Sequence, residues 1–163
     1  MKRNKYATLI PQAAMIAALY VVLTLVASAF GLDRYAVQLR FSEALTILPF
    51  FTPAAMPGLY AGCLLANLLT GCIIWDVIFG PIATLLGAVG TYLLRRQNKW
   101  LAPLPAIASN TLIIPFILIY AYHFEGALPY FMTTVALGEI ASCGILGMPL
   151  LLTLEKHRGR IFS

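Results

Sequence analysis

The sequence predicts an all-α membrane protein: a compact bundle of six transmembrane helices, with the N and C termini in the cytoplasm. Hydrophobic residues make up 61% of the 163 positions and charged residues only 10%, which exceeds what the core of a soluble domain requires. The strands of a membrane β-barrel would alternate apolar and polar residues, and the long apolar runs here do not. Because these runs occupy nearly the whole length, we expect one transmembrane domain over residues 1–163.

Six spans are predicted, although the apolar residues form only five continuous blocks. The first run, residues 6–30, is too long for a signal peptide and has no cleavage site. The second block carries Pro49, Pro53 and Pro57 within nine residues, and helix interiors rarely contain such a series. We therefore divide this block into two short helices that meet at residues 51–53. The predicted spans are residues 6–30, 41–52, 55–71, 76–97, 100–122 and 128–154.

The distribution of charge decides between five and six spans. Basic loops stay in the cytoplasm, and six spans place the basic N-terminus, the loop 95–99 and the cluster 156–160 together on that side. Nine of the eleven Lys and Arg residues then face the cytoplasm, which leaves only Arg34 and Arg40 outside. Five of the six carboxylates fall in the outer half: Asp33, Glu43, Asp76, Glu125 and Glu139. The net charge of +5 reflects this topology rather than nucleic-acid binding.

Polar residues at membrane depth predict an outward-facing binding pocket. Ionisable groups are costly there, so they usually face a cavity or a partner and indicate function. Glu139 is the clearest case, since it lies about eleven residues, or on the order of 16 Å, into the last span. The other candidates are Glu43, Asn67, Trp75, Asp76 and Asn110. All except Asn110, which lies at mid-depth, belong to the outer half.

Each candidate also has a structural interpretation. Asp76 and Glu43 suit the N-cap and first turn of a helix, and asparagines such as Asn67 and Asn110 commonly join membrane helices by hydrogen bonds. Trp75 suits an interfacial aromatic belt better than ligand stacking. For Glu139 we favour a functional role, and pairing with an arginine is the alternative.

Small residues on the first span suggest a surface for close helix approach. Ala13 and Ala17, and likewise Ala14 and Ala18, form two overlapping pairs with small-xxx-small spacing. Gly58 and Gly62 repeat this spacing in the third span. Packing within the bundle is an equal alternative for the two glycines.

Motifs of common catalytic and metal sites are missing from the sequence. There is no Gly-x-x-x-x-Gly-Lys-Ser/Thr phosphate loop, so the chain cannot bind ATP in that manner. His-Glu-x-x-His, Gly-x-Ser-x-Gly and His-rich clusters are missing too, which argues against an enzyme. Cys63, Cys72 and Cys143 lack the spacing of metal ligands and are interpreted as packing residues. We expect no metal and no cofactor in this chain.

Three segments carry a resemblance to a known family: residues 39–51 (LRFSEALTILPFF), 62–71 (GCLLANLLTG) and 76–80 (DVIFG). The chain resembles the QueT family, which comprises predicted substrate-binding S components of energy-coupling-factor (ECF) transporters linked to uptake of queuosine precursors. The resemblance implies a multi-pass subunit of the bacterial plasma membrane that captures its substrate from outside. It also implies docking onto one transmembrane coupling subunit and two ABC ATPases, which hydrolyse the ATP.

The resemblance also implies roles for individual residues. Ala13, Ala14, Ala17 and Ala18 look like the alanine-rich motif with which S components contact the coupling subunit. The implied ligand is a queuosine precursor. For a base similar to 7-aminomethyl-7-deazaguanine, the chemistry of the ligand suggests as a hypothesis that it is held by Glu43, Asp76 and Glu139, by the amides of Asn67 and Asn110, and by stacking on Trp75 or Phe79. Residues 31–42 and 71–76 would close over it.

Three other functions remain as alternatives. The fold could bind another flat, vitamin-like ligand, because one fold supports many sites. A self-sufficient proton-coupled carrier would use Glu139 as its titrating group. A purely structural membrane subunit would bind no ligand.

Overall fold

The computed structural model describes residues 5–32, 39–123 and 125–161, and every element of regular structure in these ranges is helical. The main elements are α1 (Lys5–Ala29), a 3₁₀ helix (Phe41–Phe50), α2 (Ala55–Leu69), α3 (Ile74–Leu94), α4 (Leu104–Tyr120), α5 (Leu128–Glu139), a π-helical segment (Ile140–Leu146), α6 (Gly147–Lys156) and α7 (Arg158–Ile161). The predicted all-α class is confirmed for these ranges. Asp33 and Arg34 lie outside the described residues.

Four helical stretches in the described part of the chain are long and apolar enough to cross a membrane. They are Thr8–Ala29, Ile74–Leu94, Lys99–Tyr120 and Leu128–Lys156. The last is one continuous helical stretch of 29 residues, in which the π-helical segment joins α5 to α6. Single π turns within α-helices occur frequently at functional sites, and this segment begins directly after Glu139.

The proline-rich block forms two short helices, and the first of them is a 3₁₀ helix rather than an α-helix. The chain leaves this helix at Phe50 and enters α2 at Ala55. A 3₁₀ helix rises about 2.0 Å per residue, so its ten residues cover about 20 Å, which exceeds the reach of an α-helix of equal length. Residues 42–49 are all buried, which makes this short helix the centre of the bundle.

Two glycines end the first two α-helices by the same local geometry. Gly31 and Gly71 have φ values of +69° and +72°, a conformation that glycine adopts without strain. After α2, the Cys72 N–H donates to Asn67 O and the Gly71 N–H donates to Leu68 O, which is the Schellman motif. These caps satisfy helix-end carbonyls that would otherwise lack partners.

The helices pack in the order in which they follow along the chain, with the 3₁₀ helix between them. α1 packs against α2, α2 against α3, α3 against α4, and α4 against α5. The 3₁₀ helix contacts α1, α2, α3, α6 and the π-helical segment. Its Ile47 joins Leu59, Leu151 and Tyr20 in a fully buried apolar core.

Basic side chains collect at one end of the bundle, which we call the basic end. Arg95, Arg96 and Arg158 line one cavity there, together with Phe50 and Tyr92. At the same end Lys99 pairs with Glu155 at 2.8 Å. Glu155 is the one carboxylate that the predicted topology does not place in the outer half, and it lies here among cations.

The interface of α1 with α2 uses one of the two predicted alanine pairs. A Cβ atom on Gly58 would lie 2.7 Å from Ala13 O, and one on Gly62 would lie 3.0 Å from Ala17 O. Ala13 and Ala17 therefore pack within the chain, because α2 approaches the backbone of α1 at these glycines. Ala14 and Ala18, which the sequence grouped with them, are exposed on the other side of α1.

Gly62→Ala is expected to lower the stability of the protein by roughly 1–3 kcal/mol, the usual cost of an overpacked core. The new Cβ would lie 2.7 Å from the Cβ of Tyr20, so α1 and α2 must separate. Gly144→Ala is the matched control, because its Cβ would meet nothing closer than 3.9 Å. Thermal unfolding in detergent measures both variants, and equal melting temperatures would contradict the close α1–α2 approach.

Candidate functional site

A small polar cavity lies where the 3₁₀ helix meets α3, α4 and α5. Its volume is about 20 Å³, enough for about one water molecule. It is lined by Arg40, Glu43, Gly80, Thr84, Asn110, Ile114, Val135 and Glu139. Three predicted site residues, Glu43, Asn110 and Glu139, therefore meet here from three different elements, and each is more than nine-tenths buried.

Glu139 has a hydrogen-bond donor for each of its carboxylate oxygens. The Asn110 amide donates from α4 to Oε1 at 2.9 Å, and the Cys143 thiol donates to Oε2 at 3.2 Å. Cys143 follows Glu139 by four residues, a spacing that places two side chains on one helix face. No ion pair between Glu139 and an arginine forms among the described residues, and Arg40 lines the same cavity.

Only one of the two carboxylate oxygens of Glu43 accepts a hydrogen bond within the described residues. Its Oε1 accepts a hydrogen bond from the Tyr20 hydroxyl of α1, while its Oε2 is buried and has no hydrogen-bond partner among the described residues. The Glu43 main-chain carbonyl accepts from the Thr46 hydroxyl at 2.6 Å and lies 3.4 Å from the Cys143 sulfur, so the 3₁₀ helix contacts the π-helical segment here. A carboxylate held rigidly with one free oxygen is suited to accept a donor from a ligand.

Glu43, Glu139 and Cys143 form a group that could in principle hold a metal ion. One ligand atom from each residue lies within 4.8 Å of the others, and all three residues are buried. The Cys143 thiol, however, already donates a hydrogen bond to Glu139 at 3.2 Å, with the Thr46 hydroxyl 3.3 Å from its sulfur. The hydrogen-bonded thiol is also consistent with the packing role predicted for this cysteine.

Asp76 is paired within the chain. Its Oδ2 lies 3.8 Å from an Arg40 guanidinium nitrogen, and the Tyr122 hydroxyl donates to it at 3.4 Å. The N-cap of α3 is Ile73, so Asp76 belongs to the first turn and is not the cap. The main-chain N–H of Arg40 donates to the Ser142 hydroxyl at 3.3 Å, which joins Arg40 to the π-helical segment.

Asn67 joins two helices beside the polar cavity without lining it. Its amide donates to the main-chain oxygen of Asp76 at 2.9 Å, linking α2 to α3. This is the interhelical role that was one interpretation of Asn67. The amide also fills the space beside Gly80, where a Cβ atom would lie 2.7 Å from it.

Trp75 and Phe79, considered for stacking on the ligand, do not line the polar cavity. Their rings stack on each other with centroids 6.0 Å apart, and 53% and 39% of the two residues is exposed. They border an apolar groove of about 610 Å³ on the exposed surface of α3 and α4. The reason is helical periodicity: Trp75 and Phe79 share one face of α3, whereas Gly80 and Thr84 share the face that lines the cavity.

Sequence reasoning missed three residues that build the site: Tyr20, Arg40 and Cys143. Arg40 was noted as one of only two basic residues outside, yet its closeness to Asp76 depends on how α3 packs. Cys143 could have been found, because it lies one helical turn after Glu139. Tyr20 has no local signal, since its partner Glu43 is 23 residues away.

The arrangement combines hydrogen-bond acceptors with an enclosed volume too small for an organic ligand. Pockets that take such ligands measure roughly 300–1,000 Å³, whereas the polar cavity measures about 20 Å³. The structure is therefore a closed form, in which the Asn110 amide contacts Glu139 directly. The chemistry available is recognition by carboxylates, an amide and a guanidinium.

Arg40→Gln and Asp76→Asn are each expected to destabilise the protein, because each leaves a partly buried partner unpaired. The double variant should lose less than the sum of the two, with a coupling energy on the order of 0.5–3 kcal/mol. Unfolding of all four proteins in mixed micelles measures this coupling. Strictly additive losses would show that the 3.8 Å contact contributes nothing to stability.

Comparison with known proteins agrees with a transport function for this chain. The model of a family described as "QueT transporter" matches residues 10–156. The curated protein "Queuosine precursor transporter QueT" of Lactococcus lactis subsp. cremoris (strain MG1363) is 31% identical over 153 residues, which cover 87% of this chain and 89% of that protein. No solved structure matches the chain significantly. The resemblance seen in the sequence is thus confirmed, and the chain is a membrane protein that belongs to the QueT transporter family.

Proposed function

We propose that the chain is the substrate-binding subunit, or S component, of an ECF-type importer. Its substrate would be a queuosine precursor, a base similar to 7-aminomethyl-7-deazaguanine. The observation that carries the proposal is the polar cavity, in which Glu43, Asn110 and Glu139 meet inside an otherwise apolar bundle. The printed name of the Lactococcus lactis relative states that it transports a queuosine precursor, and that substrate suits these side chains.

The recognition chemistry follows from the edges of the ligand. A guanine-like base presents adjacent N–H donors, which a carboxylate accepts in a paired arrangement. The Asn110 amide can serve either a donor or an acceptor on the same base. Because the cavity is closed here, substrate binding requires the elements around it to separate, and the Arg40–Asp76 ion pair lies beside that opening.

The proposed topology has six spans with both termini in the cytoplasm of a bacterial cell. It rests on the grouping of Arg95, Arg96, Lys99 and Arg158 at the basic end, since basic segments stay in the cytoplasm. Three of the spans then come from α1, α3 and α4, one from the stretch Leu128–Lys156, and two from the short central helices. The polar cavity would open to the outside.

Energy for uptake would come from partner proteins. The sequence has no phosphate loop, so the proposal assigns ATP hydrolysis to two ABC ATPases joined to a transmembrane coupling subunit. Exposed Ala14 and Ala18 on α1 are the proposed contact with that subunit, because small residues permit close helix approach. Ala13 and Ala17 are already used against α2.

The purified protein is expected to bind 7-aminomethyl-7-deazaguanine, measured by isothermal titration calorimetry in detergent. Asn110→Ala should weaken binding by roughly 5- to 100-fold, because it removes an amide that holds Glu139. Glu155→Gln is the control, since this carboxylate lies at the basic end and is paired with Lys99. Binding of riboflavin or thiamine in place of the 7-deazaguanine would assign the chain to a different substrate.

Ala14→Leu and Ala18→Leu are expected to reduce copurification with the coupling subunit and ATPases several-fold while leaving ligand binding intact. The bulkier side chains would prevent close helix approach on an exposed face. Ala108→Leu, at an exposed alanine on α4, is the matched control. Uptake into vesicles that lack the ATPases would contradict this model and support a self-sufficient carrier.

A further inference from the structure

We infer that Glu43 and Glu139 form a subsite for a cationic amine, so that the polar cavity selects the ammonium group of its substrate over an uncharged substituent. This inference rests on the proposed function and assigns one end of the ligand to a defined pair of side chains.

The first support is the balance of charge around the polar cavity. Three buried carboxylates, Glu43, Asp76 and Glu139, share this region with one guanidinium, that of Arg40. Arg40 forms its ion pair with Asp76. Among the described residues no ion pair to Glu43 or Glu139 forms, and the single charge of Arg40, which also acts on both glutamates, cannot balance three carboxylates. Buried charges require a partner, and a cationic ligand supplies it.

The second support is the unused acceptor on Glu43. Both oxygens of Glu139 accept hydrogen bonds, and Glu43 Oε1 accepts one from Tyr20. Glu43 Oε2 has no partner in the described structure, although only 2% of the residue is exposed. A buried acceptor without a donor is unfavourable. The Asn110 amide beside it donates to Glu139, so a water molecule or the ammonium group of a ligand in the adjacent cavity can supply the missing donor.

The third support is the size of the space that faces these carboxylates. About 20 Å³ accommodates a group of the size of a water molecule, and an ammonium group is of that size. Its three N–H donors can serve Glu43 Oε2 and the remaining acceptor sites of Glu139. The amine thus fits the cavity as it stands, whereas the ring must occupy space that opens next to it.

Selectivity between precursors follows from this placement. A 7-deazaguanine with an aminomethyl group carries the cation, and one with a nitrile group does not. The nitrile carries no positive charge, so it cannot form the charge-assisted hydrogen bonds that the ammonium group makes with the carboxylates. Asp76 is excluded as the amine partner, since Arg40 already neutralises it.

The experiment compares calorimetric affinities of the purified full-length chain for 7-aminomethyl-7-deazaguanine and 7-cyano-7-deazaguanine. The wild type should bind the aminomethyl compound at least roughly tenfold more tightly, the factor expected for a charge-assisted hydrogen bond. Glu43→Gln and Glu139→Gln should each bring this ratio towards one, chiefly by weakening the aminomethyl compound. Glu155→Gln, also a change from a carboxylate to an amide but at the basic end of the bundle, should leave the ratio at its wild-type value.

The possible outcomes separate the two ideas. A wild-type ratio near one, with both compounds bound, overturns the amine subsite and leaves the proposed substrate class intact. Failure of the wild type to bind either compound overturns the proposed function and the subsite with it. Thermal stabilisation by Zn²⁺ that Glu43→Gln abolishes, with displacement of the amine, identifies a metal site and also overturns the inference. The ratio of the two wild-type affinities tests the inference by itself, so the test does not depend on whether each variant folds.

Discussion

The hydrogen bond from the Tyr20 hydroxyl to Glu43 joins α1 to the short 3₁₀ helix on which the rest of the bundle depends. This helix carries a glutamate into the interior of an apolar protein, where a carboxylate without partners is strongly unfavourable. The Tyr20 hydroxyl donates to one carboxylate oxygen of Glu43, and the Thr46 hydroxyl donates to the main-chain carbonyl of the same residue. α1, α3 and α6 pack around the 3₁₀ helix, and this packing together with the hydrogen bonds holds the glutamate in place.

The closed cavity and the proposed transport function make opposite demands on these contacts. Tight contacts among the polar side chains satisfy buried groups and stabilise the closed form. A substrate must replace some of these contacts, so its binding energy is the difference between what it makes and what it breaks. The free oxygen of Glu43 is favourable in this respect, because a ligand that binds it breaks no hydrogen bond within the described structure.

α1 and α3 each have one face that packs inside the molecule and one face that is exposed. On α1, Ala13 and Ala17 admit the glycines of α2, while Ala14 and Ala18 remain exposed. α3 directs Gly80 and Thr84 to the cavity and stacks Trp75 on Phe79 at the outer surface. Exposed apolar surface on membrane-embedded helices suits lipid or a partner helix. Proposed substrate binding and partner contact thus use separate surfaces of the same helices.

Much of the fold could be predicted because local rules govern it. The apolar runs mark the four long helical stretches, and the prolines at 49, 53 and 57 predict the break between the two short helices. The sequence could not predict that residues 41–50 form a 3₁₀ helix rather than an α-helix, since both suit the same apolar pattern. Glu43, Asn110 and Glu139 were identifiable as site candidates because buried polar residues are rare in such a composition.

By itself, the sequence determined an apolar helical protein with its basic residues near particular helix ends and a few polar residues inside, because composition and spacing act locally. Only the tertiary structure decided which carboxylate is neutralised by Arg40, which is held by Asn110, and which keeps a free oxygen. Those pairings join residues 23 to 36 positions apart, such as Tyr20 with Glu43 and Arg40 with Asp76. Pairing at such separations depends on how whole helices pack, which no local pattern specifies.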